Sequence, residues 1–257
     1  MCGIGGIYIA TGTNVSKEIR PALVRLFSLL EDRGGHASGF SIKRTNQDQI
    51  EVHKAAINSS TFGLLLEKGM TQKMHEIQSV LLHTRYSTHG SVQNNGNNHP
   101  ITTNGIVLTH NGVLRNDVEI FGMLGTGRFN EVDSEALNAS LRLKSPSWMI
   151  DNIRGTMSVA WIDTQDPEEV HLLTNGQNPL YISRLWNGAV VWASTRSHLV
   201  EAFGEGFTGL MDDDSGFHAI PYKQYTLKPD GTIRSEFISK QRANPMIGWN
   251  DEAWRHF

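Results

Sequence analysis

Apolar positions along the chain follow two spacings, one of about two residues and one of three to four. Near the amino terminus Ile4, Ile7 and Ile9 are interleaved with Gly3, Gly5 and Gly6, the pattern of a strand whose backbone is open to close approach. Thr11 to Asn14 read as a polar turn. Leu23, Leu26, Phe27 and Leu30 then recur at helical spacing between Ser16 with Glu18 and Glu31, which predicts a helix with one buried stripe and Pro21 in its first turns. The helix stops at Arg33-Gly34-Gly35. Short strands are expected at Phe40–Lys43 and Ile50–His53, flanking the turn-rich Thr45 to Asp48, and a helical pattern from Thr61 to Met74 is interrupted at Gly69.

Val80 to Thr84 is a buried-type strand, and a long polar loop follows from Arg85 to Pro100. Ile106-Val107-Leu108 is the next strand and runs into His110-Asn111-Gly112-Val113. Asp133 is expected as the N-cap of a helix carrying Ala136, Leu137 and Leu141. The remainder is strand-rich: 157–162, 170–173, 180–183 and 190–193 are apolar runs, the last two joined through the hairpin signal Asn187-Gly188. A short helix is expected at Thr195–Phe203, and Tyr225–Leu227 and Ile233–Ser235 flank Pro229-Asp230-Gly231, a second hairpin. Hairpin-linked strands imply antiparallel sheet, so the pattern favours a layered α+β domain over a doubly wound one. Gln241–Phe257, with Trp249, Trp254 and Phe257, reads as a tail able to dock on the domain or on a partner.

Composition narrows the class without naming a function. The 257 residues are 39% hydrophobic and 19% charged, with a formal net charge of -3, which gives no general attraction to nucleic acid or to an anionic membrane. No apolar run approaches the roughly 18 residues of a membrane span. Cys2 is the only cysteine, so no disulfide forms within the chain, and the amino terminus lacks the basic and apolar segments of a signal peptide; a cytoplasmic protein is expected.

That lone cysteine carries the chemistry. Removal of Met1 would leave Cys2 with a free α-amine beside its thiol. An α-amine titrates near roughly 7.7–8.0 and a thiol near roughly 8.5, so a partly neutral amine can take the thiol's proton. A plainer reading makes Cys2 a small buried hydrophobe. The loop after residue 84 weighs against it, because so many polar groups on one long loop suggest binding.

Cys2, then Arg85-Tyr86-Ser87-Thr88-His89-Gly90, His110-Asn111-Gly112 and Asp133-Ser134-Glu135, in that order, resemble the class II glutamine amidotransferase domains of the N-terminal nucleophile hydrolases. The resemblance runs from Cys2 to about Gly231 and implies a four-layer αββα sandwich of two antiparallel sheets, with the domain at 2–240. It implies Cys2 as the nucleophile toward the carboxamide of glutamine, and the Asn111 side-chain amide with the Gly112 N–H as oxyanion donors. Arg85 would take the substrate's α-carboxylate with Thr88 and His89, and Asp133 its α-ammonium. Arg33 in Arg33-Gly34 would orient groups near the nucleophile. Tyr86 stands where the sugar-phosphate members have tryptophan, and His99 is expected to hydrogen-bond inside its own loop.

His83, His89, His99 and His110 could be proposed as a metal site, but none are at close ligand spacing and no acidic or thiol partner accompanies them, so neither a metal nor a cofactor is expected. No phosphate-binding Gly-rich loop is present either. Three functional readings follow: a glutaminase that passes ammonia to a synthase on a separate chain, a self-sufficient amidohydrolase acting on glutamine or a γ-glutamyl compound, and a non-catalytic scaffold. Joint retention of Cys2, Arg85, Asn111, Gly112 and Asp133 favours the first two.

Overall fold

The computed structural model describes residues 1–13, 18–45, 47–71, 74–204, 207–208 and 217–239. The expectations for Asn14, Ser16 and Asn46 and for the tail from Gln241 lie outside them. The amino-terminal strand β1 (Gly3–Tyr8) sits inside an antiparallel sheet. Its neighbours are β4 (Ile77–Arg85) on one side and β9 (Val190–Ala193) on the other. Beyond β4 lie β2 (Ala37–Arg44) and β3 (Ile50–Ala55); beyond β9 lies β8 (Tyr181–Leu185), which pairs with the short β10 (Phe207–Thr208) and β11 (Phe217–His218). A second antiparallel sheet contains, in order across it, β13 (Ile233–Phe237), β12 (Lys223–Leu227), β7 (Asp166–Thr174), β6 (Gly155–Asp163) and β5 (Ile106–Leu114).

Period-two alternation assigns the faces. In β1, Ile7 faces the helices α1 (Ile19–Leu29) and α2 (Ser59–Thr71), while Ile4 and Tyr8 face the second sheet. In β4, Val80 and Leu82 join the helix-side core and Leu81 the core between the sheets. The stripe Leu23, Leu26, Phe27 and Leu30 is fully buried against the first sheet, together with Leu199 of α6 (Arg196–Phe203). On the far side α3 (Asp117–Leu124), α4 (Glu135–Leu143) and α5 (Pro146–Asn152) cover the second sheet through Ile120, Leu137 and Met149. Three cores between four layers make an αββα sandwich. Among the described residues no helix is long and apolar enough to cross a membrane.

Several local expectations are corrected. Gly69 does not interrupt α2; it lets the helix lie close on β2, and its carbonyl accepts from Arg44 Nη2 at 2.8 Å. Ser134, not Asp133, occupies the N-cap position of α4, because the Asp133 carboxylate is drawn to the Leu114 N–H at 2.6 Å. Helices α3 and α5 went unpredicted. The first is eight residues long with Gly122 inside it, and the second is a seven-residue helix whose Ser145 cap accepts from Trp148 N at 3.1 Å.

A polar seam runs between the layers. His83 shares the inter-sheet face of β4 with Leu81, and its ring stacks on His99 with centroids 4.0 Å apart. Its Nε2 donates to the His110 carbonyl at 3.0 Å. His110 stands on β5, 6.5 Å from His99 between centroids. Burial holds all three imidazoles neutral: it lowers His83 to about 3 and pushes His99 and His110 down as well.

Two consequences are measurable. A Cβ on Gly6 would lie 2.2 Å from Trp192 Cζ2 and 2.3 Å from the Val80 carbonyl oxygen, and Trp192 is wholly buried. Gly6→Ala is therefore expected to cost at least about 2 kcal/mol in chemical unfolding, as overpacking of a tight core does; a variant as stable as the parent would contradict the packing. The histidines set an acid dependence. Below about pH 6.5 the unfolded chain takes up protons that the folded one refuses, so unfolding free energy should fall steadily from pH 6.5 to 4.5, before carboxylates titrate. A flat profile there would contradict neutral burial.

Candidate active site

Cys2 enters β1 just before Gly3, whose partner in β4 is Thr84, so the thiol stands at the end of β4 where Arg85 and Tyr86 begin the polar loop. Cys2 Sγ points at the Tyr86 carbonyl, 3.7 Å away. Burial pushes the thiol's pKa up, while the positive charges of the chain terminus and Arg85 pull it down and Asp133 pushes it further up. The α-amine here belongs to Met1.

Arg33 fixes the backbone of the nucleophile candidate. Its Nε donates to the Cys2 carbonyl at 3.1 Å and its Nη1 to Thr195 Oγ1 at 3.5 Å. The following loop is tied to the same place: the His36 N–H donates to the Arg85 carbonyl at 3.0 Å, and His36 Nδ1 accepts from the Ser87 N–H at 3.0 Å. The Tyr86 ring is half exposed and lies against His36, 4.8 Å between centroids.

Asn111 and Gly112 are not a turn; they sit inside β5, opposite Ser158 and Met157 of β6. Asn111 shares a face with Val107, which belongs to the core between the sheets, and β1 and β5 touch across that space. The Asn111 carbonyl accepts from Asn178 Nδ2 at 3.0 Å. Its own Nδ2 is buried and has no hydrogen-bond partner among the described residues. A buried amide left undonated is costly unless something else accepts from it. Gly112 is required by contact, since a Cβ there would lie 2.0 Å from the Thr156 carbonyl oxygen and 2.5 Å from His110 Nε2.

Arg85 is 3% exposed, and its guanidinium closes the loop on itself. Nη1 donates to Asn98 Oδ1 at 2.8 Å, and Nη2 donates to the Gly90 carbonyl at 3.1 Å and to the His89 carbonyl. Three of a guanidinium's five N–H donors are thereby engaged. Lys54 holds the far end of the loop, donating to the carbonyls of Asn98 at 2.8 Å and Pro100 at 3.0 Å. Burial brings the Lys54 pKa down to about 8 against the opposing charge of Glu135. The side chains of Thr88 and His89 are exposed and face each other, Oγ1 to Nδ1 at 3.2 Å; only the backbone of His89 meets Arg85.

Asp133 keeps one oxygen engaged and one nearly free. Oδ2 takes the Leu114 N–H, while Oδ1 has only Ser134 Oγ at 3.5 Å. His99 does not bond within its loop as expected; its Nε2 reaches Ser134 Oγ at 3.0 Å, across to the start of α4. Among the described residues no group of His, Cys, Asp or Glu is arranged to hold a metal ion. The stacked faces of His83 and His99 give their lone pairs no shared point.

Cys2, Arg33, Tyr86 and Arg85 thus come together at the end of β4, Asp133 is held beside the end of β5 by the Leu114 N–H, and the side chains of Thr88 and His89 stay outside. Sequence reasoning missed Asn178 and Thr195. Asn178 lies in the polar run Thr174 to Pro179 between two strands, the kind of loop that flagged 85–100, but its length was unremarkable.

Comparison with known proteins bears on the family and the fold. A family model described as a glutamine amidotransferase domain matches residues 83–201. A 7-cyano-7-deazaguanine synthase of Sulfolobus acidocaldarius is 24% identical over 193 residues, covering 71% of this chain and 40% of that protein. A glutamine–fructose-6-phosphate aminotransferase (isomerizing) of Staphylococcus aureus is 28% identical over 234 residues, 83% of this chain and 32% of the relative. The chain therefore spans between a third and two-fifths of the length of these relatives. In fold it is similar to the glutamine phosphoribosylpyrophosphate amidotransferase of B. subtilis, with a TM-score of 0.67 and 19% identity over 93% of this chain and 50% of that one. Family match, relatives and fold point the same way: residues 83–201 resemble a glutamine amidotransferase domain, the chain is similar to glutamine-dependent enzymes, and its layered sandwich is similar in fold to a glutamine amidotransferase of known structure.

Proposed function

We propose that this domain, spanning 2–240, hydrolyses the side-chain amide of glutamine through Cys2 and that the ammonia goes to a synthase on a separate chain. The observation that carries the reading is the buried, undonated Nδ2 of Asn111, on a strand that touches β1 across the sandwich. A tetrahedral oxyanion is the acceptor that such a donor suits.

With Met1 removed, the α-amine of Cys2 takes the thiol proton and the thiolate sulfur attacks the carboxamide carbon. The C=O π pair moves onto oxygen, where Asn111 Nδ2 and the Gly112 N–H receive it. Collapse of the intermediate breaks the C–N bond, and the amine's extra proton passes to the leaving nitrogen, which departs as ammonia. Water then hydrolyses the thioester, giving glutamate and the free thiol. Desolvation pushes the Cys2 thiol up, so an adjacent base is needed to generate the thiolate at neutral pH, and the α-amine supplies it. Arg85 offers its remaining donors to the α-carboxylate, with the backbone of Thr88 and His89 beside it, and Asp133 Oδ1 takes the α-ammonium. Arg33 and Tyr86 keep the Cys2 backbone and thiol oriented.

Purified chain should release ammonia and glutamate from glutamine in equal amounts, Cys2→Ala should abolish both, and the intact mass of active material should lack Met1. Full activity in a chain that retains Met1 would refute the α-amine mechanism. Asn111→Ala should lower kcat by about 100- to 1,000-fold, the usual loss for one oxyanion donor, with KM changed little. A loss confined to KM would place Asn111 in substrate binding instead.

A further inference from the structure

The hydrogen bonds around Ser134 can be assigned proton by proton. His110 Nε2 faces the Thr156 carbonyl at 3.3 Å, and a carbonyl only accepts, so Nε2 carries the hydrogen. Burial keeps this ring neutral, and a neutral imidazole has one N–H; its Nδ1 is therefore a bare acceptor. Ser134 Oγ lies 2.9 Å from that Nδ1 and must donate to it. A hydroxyl has one proton. Toward His99 Nε2, at 3.0 Å, Ser134 must then accept, which puts the His99 hydrogen on Nε2. His99 Nδ1 is buried without a partner among the described residues, as a bare acceptor would be. The nearer ring nitrogen takes the serine proton, and none is left for Asp133 Oδ1 at 3.5 Å.

An anionic oxygen without a donor, on a carboxylate held by the Leu114 N–H two residues beyond Gly112 on β5, is suited to a cation that brings its own N–H groups. We propose that Ser134 is a positioning residue for glutamine capture: its proton is committed to His110, the His99 N–H locks it in that orientation, and Asp133 Oδ1 is thereby kept free for the substrate's α-ammonium. The inference rests on the glutaminase reading of the site. It also joins three parts of that site through one hydroxyl: the strand bearing Asn111 and Gly112, the end of the Arg85 loop, and the start of α4.

The test combines a spectroscopic signature with binding that needs no turnover. Long-range ¹H–¹⁵N correlation on the ¹⁵N-histidine-labelled chain at neutral pH should show His110 and His99 both as Nε2–H tautomers. L-glutamate should bind the wild type, and glutarate, which lacks the α-ammonium, should bind at least tenfold more weakly. In His110→Leu the serine loses its nearer acceptor, and while the same spectrum shows His99 as the Nε2–H tautomer its proton turns to Asp133, so glutamate affinity should drop at least fivefold while glutarate is unaffected. Adding Ser134→Ala removes the competing proton and should recover at least threefold of that loss. A merely structural role predicts the opposite, a double variant no better than the single one, and that result overturns the proposal. His110 found as the Nδ1–H tautomer also overturns it, and this reading stands on the wild type alone if the variants do not fold. If the wild type does not prefer glutamate to glutarate, the glutaminase reading falls and the inference falls with it.

Discussion

The antiparallel register between β1 and β4 governs the end of the molecule that carries Cys2. Gly3 opposite Thr84 brings Cys2 to the point where the β4 backbone leaves the sheet as Arg85 and Tyr86. Thr84 and Arg85 pair on the other side with Ser38 and Ala37 of β2, so the Arg33–His36 turn arrives at that point too. A slip of one residue would exchange the faces of Ile4 and Ile7 and carry every side chain of β1 to the wrong core. Glycine enforces the register from the other side: Gly6 meets Trp192 and the Val80 carbonyl so closely that only this alignment leaves room.

Around that fixed end the protein spends its interior on polar groups. Buried imidazoles are expensive unless neutral and bonded, and here each ring finds a carbonyl or a hydroxyl for one nitrogen. Arg85 follows the same rule with carbonyls and an asparagine oxygen as acceptors, and Lys54 satisfies two further loop carbonyls. The loop from Tyr86 to Pro100 is thus held by two cations, the buried Arg85 at the end of β4 and the half-buried Lys54 of β3, with β2 between their strands. Rigid support of this kind places binding groups more accurately than the loop's own backbone could.

Much of this was legible in the sequence because it is periodic or local. The glycine-interleaved first strand, the Leu23–Leu30 stripe, the two hairpins and the exposed-looking loop after Thr84 each announce themselves within a dozen residues. The assignments that failed depend on partners distant in sequence. Asp133 looks like a cap until Leu114, nineteen positions away, claims its carboxylate. His99 looks like a loop residue until Ser134, thirty-five positions away, receives it. Asn178 supports Asn111 across 67 positions, and no local pattern encodes that. Helices α3 and α5 are brief, one with a glycine inside it and the other opening on a proline, and what stabilises them is the apolar face of the second sheet.

Met1 is 70% exposed, and its side chain is tied to the domain through Arg33 Nη2 to its sulfur at 3.7 Å. The Met1–Cys2 bond, whose cleavage the proposed mechanism requires, thus follows an exposed residue, even though the strand behind it is in the middle of a sheet. Trimming is then compatible with a finished fold. On the proposed mechanism, maturation then need not compete with chain synthesis: the untrimmed chain is already folded and needs an aminopeptidase alone.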